Sequence, residues 1–380
     1  MRVLIAPDGF GGTLTGPQAA AAIAAGWRAI APQDELDLAP LSDGGPGLLE
    51  VLATALPQAV RHPATVEDPL GRPVEAAVLL DRTTAYVEAA AACGLHLLTE
   101  SERDPKATTT YGVGQLVRHA LDLGATRVVV GLGGSGTNDG GAGLLAALGV
   151  QRLDASGQRL VPGGAALRDV DRLSGAPDPR LAAVELVAAT DVDSPLLGLY
   201  GASATFGPQK GASREDVALL DGALARWADV LESHLGAAVR DQPGAGAAGG
   251  LGAALLALGA RREPGIQLVL QLVGLSSRVA EADLVLTGEG TFDFSSLAGK
   301  VVSGVAAQAM SHAVPCLVLA GAVRVGRREA AAAGVEATYS LVDAVGVEAA
   351  LSRPAQELTA LASRVAQQWS PGSRVTMEGS

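Results

Sequence analysis

The stretch GLGGSGTNDGGAG, residues 131–143, decides how this chain is read. It follows an apolar run, Arg127-Val128-Val129-Val130, and precedes Leu144-Leu145-Ala146-Ala147-Leu148. That order is a strand, a glycine turn and a helix, the connection of a parallel α/β sheet. Seven of the thirteen residues are glycine, so backbone can come close to a ligand. A turn leading into a helix start also presents N–H groups to an anion. Ser135, Thr137, Asn138 and Asp139 add hydroxyl, amide and carboxylate groups. The expected ligand contacts are Gly133, Gly134, Ser135, Thr137, Asn138, Asp139 and Gly140. The loop lacks the G-x-x-x-x-G-K-[ST] ending of a P-loop. Residues 131–136 spell G-x-G-x-x-G, but no acidic strand end follows at dinucleotide spacing, since Asp154 falls in a predicted hairpin. The same glycines suit a tight strand–helix turn that needs only small residues, and the loop by itself leaves both readings open.

Outward from the loop, the two ends of the chain resemble each other more than either resembles the middle. Residues 2–6 read as a buried strand ending at Pro7-Asp8-Gly9, and Pro17 opens a helix over 18–30 with its cap at Thr15 or Gly16. A second strand over 36–41 ends at Ser42-Asp43, and a helix over 48–55 follows. Near residue 283 this simple pattern returns, with strands at 284–286, 316–320 and 338–341 and helices at 301–312 and within 349–369. Between them the texture changes. Val74–Leu80 and Thr84–Ala89 alternate as a hairpin, Thr108-Thr109-Thr110 caps a helix towards Asp122, and Ser213 caps a helix over 214–235. The expected fold is α/β in two domains. A discontinuous flavodoxin-like (Rossmann-like) parallel-sheet domain comprises 1–61 plus 283–375, and an inserted mixed α/β domain comprises 62–282.

Composition excludes several functions. The chain has 380 residues, a net charge of −12 and no basic stripe, which argues against nucleic acid as a partner. Residues 245–260 are apolar but too short to span a bilayer, and no signal peptide is visible at the start. Cys93 and Cys316 read as buried free thiols in a reducing cytoplasm. The assembly state, homodimer or otherwise, stays open.

Predicted strand-terminal loops carry Asp8, Asp43, Asp139, Asp191, Asp193, Glu289 and Asp293. In an open α/β sheet such loops line one crevice. Carboxylates there suit Mg²⁺, a sugar-like hydroxyl, or both, although each one alone also suits a turn or a cap. Lysines are scarce, and Lys210 and Lys300 both sit beside glycine, where an ammonium can reach a phosphate; a solvated surface position is the alternative for each. The five histidines show no metal spacing, and no G-x-S-x-G elbow is present.

Several segments together resemble the bacterial glycerate kinase family, whose members phosphorylate glycerate with ATP. They are APDGF at 6–10, LSDGG at 41–45, TTYGVG at 109–114, the glycine loop, DVDSPL at 191–196, FGPQKGA at 206–212, PGAGAAGG at 243–250 and TGEG at 287–290. They occur in the family's order across residues 1–320. The resemblance implies the two-domain layout above, with MgATP and a small hydroxy acid such as glycerate between the domains. It implies phosphate at residues 133–141, assisted by Lys210, with Lys300 as a further nucleotide contact. It implies that Asp191 or Asp193 orients Mg²⁺ or accepts the hydroxyl proton, and that Asp8, Asp43, Glu289 and Asp293 bind substrate. Three loops depart from the family's usual pattern. Gly11 stands where a lysine is usual, Pro46 where a glutamate is usual, and Thr291 where a basic residue is usual. The departures keep two alternatives open, a kinase for another hydroxy acid and a ligand-binding protein that has lost catalysis.

Overall fold

A computed structural model of the chain describes residues 1–297 and 299–371, so Ala298 and the expected domain end at 372–375 lie outside the described residues. The chain divides into two compact units. One comprises Met1–Asp43, Glu50–Leu56 and residues 266–371; the other comprises Gly44–Leu49 and Pro57–Gly265. The chain passes between the units at 43/44, 49/50, 56/57 and 265/266.

The terminal unit is built on five parallel strands. Arg2–Ile5 lies between Glu35–Leu38 and Leu284–Thr287, and Cys316–Ala320 and Ala337–Ser340 follow outward. Counted along the chain within this unit the order is 2-1-3-4-5, the flavodoxin-like arrangement. The central strands are apolar at successive residues because helices cover both faces: Val3, Leu4 and Ile5, like Leu284, Val285 and Leu286, are fully buried. The helix Gly16–Ile30 begins with a capping box between Thr15 and Gln18 and has Pro17 in its first turn. It packs against Pro354–Trp369, and Gly26 permits the close approach, since a Cβ there would meet Thr359 O at 2.1 Å. Trp27 anchors the edge, its Nε1 donating to Asp34 Oδ2 at 2.9 Å.

The inserted unit has a six-stranded mixed sheet. Arg261–Glu263, Glu185–Ala189, Arg127–Gly131 and Thr84–Glu88 run parallel, while Pro73–Asp81 and Val60–Glu67 complete an antiparallel edge. The hairpin expected around residues 81–83 is present. Its outer partner, Val60–Glu67, is not evident from patterning. The long helix Arg214–Leu235 starts at Ser213 in a capping box with Asp216. Its Leu220, Leu224, Trp227 and Leu231 are buried, at the spacing of one helix face. Among the described residues no helix is long and apolar enough to cross a membrane.

Candidate functional site

In each unit the residues with chemistry gather where the parallel strands end, the edge at which open α/β sheets take ligands.

In the inserted unit three neighbouring strands, Thr84–Glu88, Arg127–Gly131 and Glu185–Ala189, lead at their carboxyl ends into residues around a cavity of about 260 Å³. Leu95 lines it beyond the first strand, Leu132, Gly133, Gly134 and Ser135 beyond the second, and Val192 beyond the third, with Gln209 and Lys210 completing the wall. Gly133 has to be glycine, because a Cβ would come within 2.5 Å of Gly45 Cα. Lys210 ends the short turn Pro208–Lys210 and is held by Gly211, whose φ of 99° suits glycine and whose position against Arg103 O leaves no room for a Cβ. The lysine is 2 % exposed. Its Nζ donates to Ser135 Oγ at 2.9 Å and to Thr137 O at 2.7 Å. Among the described residues no carboxylate forms an ion pair with it. Burial lowers the ammonium from its usual 10.5 to about 8, while the charge of Asp139 acts the other way. Burial pushes the Cys93 thiol up to about 12, so it is a packed, neutral group rather than a nucleophile.

The second half of the glycine loop turns inward. Asp139 is fully buried, and its carboxylate accepts from the backbone N–H groups of Thr110 (2.8 Å), Gly141 (3.1 Å) and Gly143 (3.1 Å) and from the hydroxyls of Thr109 and Thr110. The anion at the start of the Ala142–Ala147 helix is therefore the protein's own carboxylate. Thr110 stands at the first residue before Tyr111–Asp122, as expected for a cap, but its hydroxyl accepts instead from Leu144 N. Thr137 and Asn138 are also fully buried; Asn138 Nδ2 donates to Ser203 Oγ at 2.9 Å. Gly140 accepts from Trp227 Nε1 at 2.9 Å, and its N–H donates to Gly249 O. Residues 248–250 are left-handed, including Ala248 at φ 51°, an arrangement that lays this backbone directly on the loop. Gly133, Gly134 and Ser135 line the cavity, whereas Thr137, Asn138, Asp139 and Gly140 are buried among protein partners. Sequence had no signal for Gln209 or Leu95, whose position depends on packing between distant segments.

Asp191 and Asp193 flank Val192 at the third strand end. Asp191 is half-buried. Asp193 is exposed and ion-paired with Arg262 at 2.6 Å. Among the described residues no group of three or more His, Cys, Asp or Glu is arranged to hold a metal. Mg²⁺ asks for less, since one or two carboxylates and the phosphates it accompanies suffice.

The terminal unit carries the remaining acids. Asp8 follows the first strand, Asp43 the second and Glu289 the third, and the first and third are the neighbours at which the strand order reverses. The Asp8 carboxyl accepts from Gly9 N at 2.7 Å, and burial, then the charges of Asp43 and Glu289, raise it well above the usual carboxylate range. Burial raises Glu289 to about 7; the Ser296 hydroxyl and Lys300 oppose this, and Asp293 and Asp43 add to it. Among the described residues, no donor reaches the buried Glu289 Oε1. Asp293 plays the turn role, accepting from Ser295 N (2.9 Å) and Oγ (2.6 Å), and the Ser295 hydroxyl holds it below the usual range. Lys300 Nζ donates to Ser295 Oγ at 3.1 Å, and its charge favours ionisation of Asp8, Glu289 and Asp293. Gly11 and Thr291 lie side by side on a smaller, mostly apolar cavity of about 170 Å³ with Phe10, Val347 and Leu351.

The glycerate kinase family matches residues 3–370. A glycerate kinase of Halalkalibacterium halodurans is 44 % identical over 90 % of each chain. The glycerate 2-kinase of Escherichia coli K12 is 41 % identical over 96 % of each. A crystal structure assigned as glycerate kinase 2, from Salmonella typhimurium LT2, superposes with a TM-score of 0.80 at 39 % identity, covering 98 % of this chain and 99 % of that one. Matches over nearly the whole chain define the class, a small-molecule kinase. The chain belongs to the glycerate kinase family.

Proposed function

We propose that the protein transfers the γ-phosphoryl group of MgATP to a hydroxyl of D-glycerate, giving phosphoglycerate and ADP. One observation carries the phosphate half of this reading. An ammonium buried without a counter-ion is costly, and Lys210 bears that cost beside a cavity walled by Gly133, Gly134 and Ser135. A bound phosphate would supply the missing charge. Phosphoryl transfer asks the protein for positioning and charge neutralisation more than for covalent chemistry, which suits such a pocket. Asp191 and Asp193 are the residues that would hold Mg²⁺, which would neutralise phosphate charge there. Asp8, Asp43, Glu289 and Asp293 are assigned to the acceptor, where carboxylates would take hydrogen bonds from its hydroxyls.

The names of the relatives support glycerate as the acceptor, and that of the Escherichia coli relative supports its 2-hydroxyl. The two buried thiols suit a reducing cytoplasm. A panel of small hydroxy acids and polyols, each offered with MgATP, tests the assignment. Glycerate should give the highest kcat/KM, with a 2-phosphoglycerate product by ³¹P NMR. A better turnover on another acid would move the proposal to that substrate, as the uncharged residues Gly11 and Thr291 would then require.

A further inference from the structure

The assignment above leaves the acceptor's proton without a destination. Asp193, one of the residues expected to take it, is exposed and already paired with Arg262. The terminal unit holds another candidate. Glu289 stands at the carboxyl end of Leu284–Thr287, beside the strand Arg2–Ile5, at the position where the sheet order reverses. It is 9 % exposed, and one carboxylate oxygen, Oε1, is enclosed without any donor among the described residues. A buried acceptor is ordinarily hydrogen-bonded, so this oxygen needs a proton of its own or a donor brought by a ligand. An acceptor hydroxyl provides one.

We propose that Glu289 is the general base of the reaction, with Oε1 receiving the proton of the glycerate hydroxyl. As the oxygen–phosphorus bond forms, the O–H proton passes to Glu289 and the bond from the γ-phosphorus to the β,γ-bridging oxygen breaks. ADP leaves with that electron pair, and the proton later leaves Glu289 for solvent. The groups facing Glu289 tune this transfer. Asp8 and Asp43, from the loops after the first two strands, and Asp293, in its own loop, oppose its ionisation, whereas Lys300 and the Ser296 hydroxyl favour it. With burial, their balance holds the carboxyl at about 7, the range in which a base can both take and release a proton near neutral pH.

This inference rests on the kinase reading, and the experiment separates the two. The kcat of full-length protein is measured against pH at saturating MgATP and D-glycerate. Wild type should show an acidic limb near pH 7. Glu289→Gln should lower kcat by roughly 10²- to 10⁴-fold, the contribution of a positioned base, with glycerate KM changed less than about fivefold. Glu289→Asp should recover part of the loss. Lys300→Met should move the limb to higher pH and Asp293→Asn to lower pH, which a purely structural glutamate would not produce. Two results would overturn the assignment: Glu289→Gln retaining kcat within about threefold, or a limb that stays in place in both neighbour variants. If wild type forms no ADP with glycerate, the kinase reading falls and takes this inference with it. If wild type is active, only the role of Glu289 is at stake.

Discussion

Lys210→Met separates what this side chain costs from what it does. Its folded pKa of about 8 lies below the ordinary 10.5, so between those values the folded chain binds fewer protons than the unfolded one. Stability therefore rises as pH climbs through that interval, and below about pH 8 the full cost of burying the charge is present. The difference corresponds to about 3 kcal/mol. Methionine removes that cost, but it also removes the hydrogen bonds to Ser135 Oγ and Thr137 O, each a contribution of about 1 kcal/mol. At pH 7 the variant should thus be more stable by about 1 kcal/mol, measured from urea unfolding. Binding should move the other way. Losing a charge-assisted hydrogen bond to phosphate costs about 1.5–3 kcal/mol, or a roughly 10- to 150-fold weaker MgATP affinity by calorimetric titration. Wild-type affinity should also fall as pH rises above 8, as the ammonium loses its proton. A variant that binds MgATP as tightly as wild type, or that loses several kcal/mol of stability, would show Lys210 to be a strut and refute the reasoning.

Asp139→Ala leaves three backbone N–H groups and two threonine hydroxyls without their acceptor, and should cost roughly 3–5 kcal/mol in urea unfolding while leaving the nucleotide affinity of the folded fraction within about threefold. For Glu289 the sign is opposite to that of Lys210. Its pKa is raised from 4.5 to about 7, so its contribution is fully present below about pH 4.5 and is lost as pH rises through 7. Glu289→Gln should accordingly stabilise the ligand-free protein at pH 8 by up to about 3 kcal/mol and leave it nearly unchanged at pH 4.5. Introducing the two absent cations as Gly11→Lys with Thr291→Arg should lower the KM for glycerate several-fold. Gly11 has φ 52° and open space around it, so the lysine there costs only about 1–2 kcal/mol of stability.

The fold was legible wherever local pattern and tertiary role coincide. Continuous apolar runs such as Leu284–Thr287 announce buried parallel strands, and Ser213 and Thr15 mark helix starts by chemistry acting over three residues. Where they part, sequence misled. Val60–Glu67 carries Pro63 and several polar residues, which only an edge strand tolerates, so its pairing with Pro73–Asp81 had no periodic signal. The helix expected within 349–369 is Pro354–Trp369, and the separate short helix Val347–Ser352 before it had no distinct signal, because proline opens a helix more readily than it continues one.

The site shows the same division. The wealth of glycine at 131–143 correctly marked a close backbone approach, but not towards what. Asp139 looks ligand-facing in sequence, yet its partners Thr109 and Thr110 come from about thirty residues earlier. Lys210 and Lys300 look alike beside their glycines. Only the fold separates them: Lys210 lines a pocket where, among the described residues, no carboxylate pairs with it, and Lys300 stands by a carboxylate cluster.

The central claim is phosphoryl transfer to glycerate, and its most direct measurement is ADP release from purified protein supplied with MgATP and D-glycerate. ADP formation that depends on glycerate and matches phosphoglycerate one for one is the predicted result. ADP no greater than in the glycerate-free control would contradict it.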